Sequence, residues 1–266
     1  MKQEGLNLLN IYGSAMNGGN PKTSVDAVNS VIAAAGRDGR PDEAIRILNE
    51  MGKYGVVPNE RTYRSVVVAC NQAEHEKRRQ RQRQYRLKDS SILQSGRRDQ
   101  PAFQDDDPIN LQWWEAALSL FRRMKEEDLT PDIQTYSSVI SACEAAGQWQ
   151  RAIGVLRFMM SDDASQKPNK FCFNAAIAAC EKGGAWLEAV ELYERMRQQV
   201  KPNFITMNSL LIALENADQK EMAENMYREA LKDKTVRPWK LTLHENSKRI
   251  YAMVSSIRFI PRDNPF

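Results

Sequence analysis

Residues 170–203 read KFCFNAAIAACEKGGAWLEAVELYERMRQQVKPN, and their apolar spacing decides the fold. Phe173, Ile177 and Cys180 stand four and three residues apart, so 3.6 residues per turn returns each to one face of an α-helix. A second helix follows, with Ala189, Tyr193 and Met196 at the same spacing. The small Ala189 lets two helices approach closely, and the larger side chains fill the gap between neighbouring hairpins. Pro202 ends the unit, because proline cannot donate into a continuing helix and pushes its predecessor out of the α region.

Outward from this stretch the same hairpin recurs. Its first-helix column is Val28, Tyr63, Tyr136, Phe173 and Met207, followed by Ile32, Val67, Ile140, Ile177 and Leu211, then by Ala35, Cys70, Cys143, Cys180 and Leu214. Second helices carry Ala44, Ala117, Ala152, Ala189 and Ala223, and the units close at Pro58, Pro131, Pro168, Pro202 and Pro238. The alanines step by 73, 35, 37 and 34 residues, and joining Ala73 to Gln112 restores a 35-residue unit. The period therefore predicts five units, 25–59, 60–132 with an insertion at 74–111, 133–169, 170–203 and 204–239, in an all-α solenoid of stacked hairpins. Residues 1–24, with Leu6, Leu9, Tyr12 and Met16, read as the second helix of a truncated earlier repeat. Residues 240–266 read as a capping helix and tail, with Leu243, Ile250, Met253 and Val254 covering the last hairpin.

Composition narrows the function classes. Of 266 residues, 42% are hydrophobic and 27% charged, which suits a globular chain and not a disordered or fibrous one. No run approaches the ~18 apolar residues of a membrane span, and the opening residues, basic only at Lys2, read as neither signal nor transit peptide. A net charge of +4 permits a phosphate-rich partner without demanding one. The four cysteines form no close CxxC pair and suit a reducing compartment; Cys70, Cys143 and Cys180 share one repeat column, where a small buried side chain fits better than a zinc ligand. Trp114, Trp149 and Trp186 also share a column, which argues for packing. With two histidines, His75 and His244, and no Walker loop, catalytic dyads and nucleotide sites have little to use.

Units near 35 residues that end in Pro-Asn or Pro-Asp, as from Tyr136 to Pro168-Asn169, resemble pentatricopeptide repeats, over about residues 25–239. The stretches Phe173–Gly184 and Trp186–Ala189 resemble the version common in algae and other protists; tetratricopeptide repeats have a different Gly and Tyr signature. The resemblance implies a right-handed α-α superhelix whose first helices line a groove for single-stranded RNA. In this family the residue after the first column and the last residue of the unit read one base between them, while apolar neighbours sandwich its ring. Here those pairs are Asn29 with Asn59, Arg64 with Asp132, Ser137 with Asn169, Asn174 with Asn203, and Asn208 with Trp239. The two Asn–Asn pairs imply pyrimidines and Ser137 with Asn169 implies adenine. The other two match no familiar pair, and Arg64 either meets a phosphate or pairs with Asp132. Asn59, Asn169 and Asn203 are also favoured helix caps, so capping is the competing reading of the same residues.

The insertion holds the densest charge, with Lys77, Arg78, Arg79, Arg81, Arg83, Arg86 and Lys88 as candidate phosphate-binding residues. Across 74–111 nine basic residues face seven acidic ones, so a solvated, mobile loop fits equally well. Family members that act as enzymes carry an added deaminase or nuclease domain, whose signatures do not stand in this sequence. The expectation is a non-catalytic, single-stranded RNA-binding adaptor in the RNA metabolism of a mitochondrion or plastid, in processing, stability or translation. The alternative is a structural subunit of an organellar ribosome or another ribonucleoprotein or protein complex. Neither implies a cofactor, metal, catalytic residue, small-molecule substrate or membrane insertion.

Overall fold

A computed structural model describes residues 21–95, 112–161 and 166–232. Those residues form ten α-helices and no strand: α1 Pro21–Arg37, α2 Pro41–Met51, α3 Glu60–Ser95, α4 Trp113–Glu126, α5 Ile133–Ala145, α6 Trp149–Met160, α7 Lys170–Gly183, α8 Trp186–Gln199, α9 Phe204–Asn216 and α10 Lys220–Lys232. The chain divides into two compact units, Met1–Lys167 and Pro168–Phe266. In the first, α3 packs on α1 and α5, and each first helix packs on its own second helix; in the second, α7 packs on α9 in the same way. The expected earlier helix before Pro21, the expected cap from residue 240 and Trp239 lie outside the described residues. Residues 21–24, read as part of that earlier helix, instead open α1, where Pro21 is tolerated because the first-turn N–H needs no partner.

The repeat columns are the core. Tyr63, Ile32, Ile140, Phe173 and Ile177 are fully buried, as are the methionines Met51, Met124, Met159 and Met196. Each such side chain contributes roughly 1.5–3 kcal/mol when taken out of water. The alanines Ala44, Ala117, Ala152 and Ala189 are buried too, at the helix crossings that only a small residue admits. Gly36 marks a still closer approach, since a Cβ there would stand 2.9 Å from the Ala69 Cβ of α3.

The turn inside each hairpin has one chemistry, with one exception. Eleven residues after the first column, Gly39, Gly147, Gly184 and Asp218 adopt left-handed backbone, with φ of 71°, 72°, 68° and 57°. This lets the next N–H reach back to the last column carbonyl, Arg40 to Ala35, Gln148 to Cys143, Ala185 to Cys180 and Gln219 to Leu214, at 2.8 to 2.9 Å. In the second repeat that place is Glu74, which has no ease in left-handed backbone, and the helix does not stop. α3 runs on for 36 residues in all.

The solvated, mobile loop expected from residue 74 is thereby corrected for residues 74–95, which are α-helix continuous with the first helix of the repeat. Its base is packed. Glu74 is 5% exposed, and its Oε2 accepts from the Trp114 N–H at 3.3 Å, so the side chain that replaces the turn caps the helix that follows. His75 Nε2 shares a 2.8 Å hydrogen bond with Ser141 Oγ, and Arg78 donates to Glu144 at 3.2 Å. Residues 96–111 lie outside the described residues.

Candidate nucleic-acid interface

The N-terminus of each later first helix is capped by the last residue of the preceding unit. Asn59 Oδ1 accepts from the Thr62 N–H (3.0 Å), Asp132 Oδ1 from Thr135 (2.8 Å), Asn169 Oδ1 from Phe171 and Cys172 (2.9 and 3.1 Å), and Asn203 Oδ1 from Ile205 and Thr206 (3.0 and 3.1 Å). Capping, the competing reading of these residues, is therefore present at every one of them. In three units a buried threonine at the third helical position returns the bond: Asn59 N donates to Thr62 Oγ1 and Asn203 N to Thr206 Oγ1, both at 3.1 Å, while Thr135 Oγ1 donates to Asp132 Oδ1 at 2.7 Å. The recurrence of Asn or Asp followed by Thr three residues later, at 59–62, 132–135 and 203–206, is the sequence signal for it.

The groove residues meet these caps. Asn29 Nδ2 donates to Asn59 Oδ1 at 3.4 Å, and Asn174 Nδ2 donates to Asn203 Oδ1 at 3.4 Å. Arg64 Nη1 donates to Asp132 Oδ2 at 2.5 Å. Burial pushes the Asp132 carboxyl up, but the Thr135 N–H and hydroxyl and the Arg64 guanidinium together hold it below its ordinary value. Ser137 and Asn169 belong to different units, and each is engaged in its own: Ser137 Oγ donates to the Gln134 carbonyl, and Asn169 caps α7. Asn208 is half-buried on α9, and its expected partner Trp239 is not among the described residues.

The two amide pairs differ in their surroundings. Asn174 Oδ1 accepts from Thr206 Oγ1 at 2.6 Å, and two exposed apolar residues flank the pair in sequence, Phe171 one turn before Asn174 and Ile205 two residues past Asn203, 63% and 45% exposed. Asn29 Oδ1 is buried with no hydrogen-bond partner among the described residues, and the corresponding flanks, Asp26 and Arg61, pair with each other at 3.3 Å. Sequence reasoning missed both this ion pair and the exposed Phe171 and Ile205, which stand three residues before and two after the groove positions. In both amide pairs the cap oxygen is saturated, while among the described residues the Nδ2 of Asn59 and of Asn203 donates to nothing. The arrangement offers amide donors at the mouth of each pair.

Burial raises the thiols of Cys70 and Cys143 to about 12, so neither is a nucleophile near neutral pH. Trp114, Trp149 and Trp186 are half-buried at the starts of second helices. Arg78 is held by Glu144, whereas Arg81 and Arg83 are exposed; Arg86 and Lys88 stand on the backbone of α3. No helix among the described residues is long and apolar enough to cross a membrane.

Three family models match the chain: the PPR repeat family over residues 23–72, the pentatricopeptide repeat domain over 119–183 and the PPR repeat over 171–199. The chain carries pentatricopeptide repeats over residues 23–72 and 119–199. The matched segments leave out residues 73–118, the stretch in which this repeat protein extends α3 past the usual turn. A pentatricopeptide repeat-containing protein of Arabidopsis thaliana is 29% identical over 133 residues, 46% of this chain, and the match spans 15% of that relative's length. Among solved structures, the pentatricopeptide domain of Arabidopsis protein-only RNase P 1, in complex with tRNA, is 13% identical with a TM-score of 0.60, covering 89% of this chain and 100% of that one. Arabidopsis nuclear protein-only RNase P 2 is 14% identical at 0.59, over 88% of this chain and 42% of its own. The maize protein PPR10 with an 18-nucleotide psaJ RNA element is 19% identical at 0.52, over 89% and 29%. These likenesses establish the fold, the α-α solenoid of tandem hairpins that the spacing predicts.

Proposed function

We propose that this pentatricopeptide-repeat chain binds single-stranded RNA and is a non-catalytic adaptor in the RNA metabolism of a mitochondrion or plastid. The observation that carries the reading is the Asn174–Asn203 pair, flanked in sequence by the exposed Phe171 and Ile205. Two exposed apolar side chains, one of them Phe171 with the Lys170 ammonium 5.4 Å from its ring centre, suit the two faces of a base, and the amide N–H groups of the pair suit the acceptors on its pairing edge. Two of the structural relatives, the RNase P 1 domain and PPR10, are in complex with RNA, which supports the same reading. The organelle rests on family resemblance.

In a titration against an oligonucleotide library, Asn174→Ala should weaken the matching sequence by ~1–3 kcal/mol and leave others nearly unchanged. Phe171→Ala should cost ~1–3 kcal/mol on every sequence, because stacking is blind to base identity. A second reading, a structural subunit of a ribonucleoprotein or protein assembly, is favoured by the Arg64–Asp132 and Asp26–Arg61 ion pairs, which satisfy groove positions from within the protein. Unchanged affinities in both variants would make that reading the better one.

A further inference from the structure

Threonines stand at the third helical position of α3, α5 and α9, and their hydroxyls have different destinations. Thr62 Oγ1 donates to Asn59 Oδ1 at 2.9 Å and Thr135 Oγ1 to Asp132 Oδ1 at 2.7 Å, each to the cap of its own helix. Thr206 Oγ1 stands 3.1 Å from its own cap oxygen, Asn203 Oδ1, and 3.8 Å from Met196 Sδ, but 2.6 Å from Asn174 Oδ1 on α7. A hydroxyl has one proton to give, and Asn203 Oδ1 already accepts from the Ile205 and Thr206 N–H groups and from Asn174 Nδ2. The shortest contact therefore takes the proton. Both partners are out of water, with Thr206 0% and Asn174 8% exposed.

A side-chain amide has an acceptor and a donor on one torsion, and its partners decide which way round it stands. At Asn174 both are supplied, since Thr206 takes Oδ1 and Asn203 takes Nδ2. At Asn29 Nδ2 reaches Asn59 at 3.4 Å, but Oδ1 is buried with no partner among the described residues, because Thr62 is turned to the cap. The orientation of Asn29 thus rests on one long hydrogen bond. That of Asn174 rests on two, the shorter of them buried, where a hydrogen bond is strongest.

We propose that Thr206 is a positioning residue for base selection: its hydroxyl fixes which way round the Asn174 amide stands, and with it which pairing edge the Asn174–Asn203 pair accepts. The inference rests on the RNA-binding reading above. With Asn174 Oδ1 turned to Thr206 and Asn203 Oδ1 filled by N–H groups, the pair is left with amide N–H donors only. Donors suit the neighbouring N3 and O2 acceptors of a cytosine and oppose the N3–H of a uracil, so the fixed pair separates two bases of the same size. An amide that turns over presents an oxygen as readily as an N–H, and the separation is lost. By the same measure Asn29 with Asn59 is the less selective of the two pairs.

The test compares the full chain with Thr206→Val, which keeps the shape and removes the hydroxyl, Thr206→Ser, which keeps the hydroxyl, Asn174→Ala, and Thr206→Val/Asn174→Ala. Each is titrated with single-stranded RNA oligonucleotides in sets of four that differ at one base. The readout is the affinity ratio within a set, which a general loosening of α9 does not move. In the wild type one position should separate cytosine from uracil by ~5-fold or more, the lower end of the range for one base contact. Thr206→Val should bring that ratio to within ~2-fold, Thr206→Ser should restore it, and Thr206→Val should alter it no further once Asn174 is alanine. A ratio kept by Thr206→Val would overturn the proposal. A further change in the Asn174→Ala background would overturn it too, and would assign the effect to the Asn203 cap. In urea unfolding without RNA, Thr206→Val and Asn174→Ala remove the same buried hydrogen bond and should be non-additive by ~5-fold in the folding constant; additive effects would overturn the Thr206–Asn174 coupling. A wild type that binds no RNA in any set would overturn the RNA-binding reading and this selectivity with it, whereas RNA binding without the coupling overturns this inference alone.

Discussion

The hairpins α3/α4 and α7/α8 are the same unit with different chemistry at two places. At the turn, α7/α8 has Gly184 in left-handed backbone and closes, whereas α3/α4 has Glu74, stays helical and borrows the glutamate as a cap for α4. At the groove, α7 presents Asn174 to Asn203, and α3 presents Arg64 to Asp132. An amide pair joined by one bond keeps donors for a ligand, while an ion pair at 2.5 Å consumes the charges of both partners. The scaffold of a repeat can thus be constant while one residue decides whether a position stays open or closes on itself.

Breaking the turn difference should give the largest stability effect. Glu74→Ala removes a buried acceptor from the start of α4 and should cost ~1–3 kcal/mol in urea unfolding, the range for an orphaned buried polar group. Gly184→Ala, at the matching place in α7/α8, should cost ~1 kcal/mol, the strain of a Cβ in left-handed backbone. If Glu74→Ala is neutral, the glutamate is not the replacement cap and the continuity of α3 has another origin.

The groove comes next. Asp132→Ala loses the α5 cap and the Arg64 partner together, and ~1–2 kcal/mol is expected; Asp132→Asn keeps a good cap and should recover most of it. Arg64→Asn with Asp132→Asn installs in α3 the pair that α7 carries, and affinity for an RNA with one further pyrimidine should rise by up to ~10-fold, the lower part of the range for one good base contact. No gain would mean that the flanks, Gln134 and the ion-paired Arg61, matter more than the pair itself.

The smallest effect is in pH. Because the folded Asp132 carboxyl lies below its ordinary value, its stabilisation is present above the usual carboxylate range and is lost as pH falls through the folded value. Both partners are about one-third exposed, so solvent screening limits the loss to a few tenths of a kcal/mol. The difference between wild type and Asp132→Asn in acid unfolding should close once the pH has fallen below the folded value, where the carboxylate is protonated in both states.

Much of this was legible in the chain because it is local and periodic. The columns through Tyr63, Phe173 and Ala189 are buried as their spacing requires, and the pairs Asn29 with Asn59, Arg64 with Asp132 and Asn174 with Asn203 do meet. The α3 extension was misread because charge density and an interrupted period resemble a loop. The informative residue was Glu74, whose type mattered only once the other four units showed a left-handed residue at that place.

The sequence by itself determined which residues fall on which helix face, since 3.6 residues per turn and proline stops need no knowledge of the rest of the molecule. Only the tertiary structure decided the partners. Arg64 reaches Asp132 across 68 residues of sequence and Glu74 reaches Trp114 across 40, contacts that exist because neighbouring hairpins bring the groups within hydrogen-bond distance and partly out of water. Whether a polar side chain is spent inside the protein or left for a ligand depends on those distances and that desolvation, which no spacing along the chain contains.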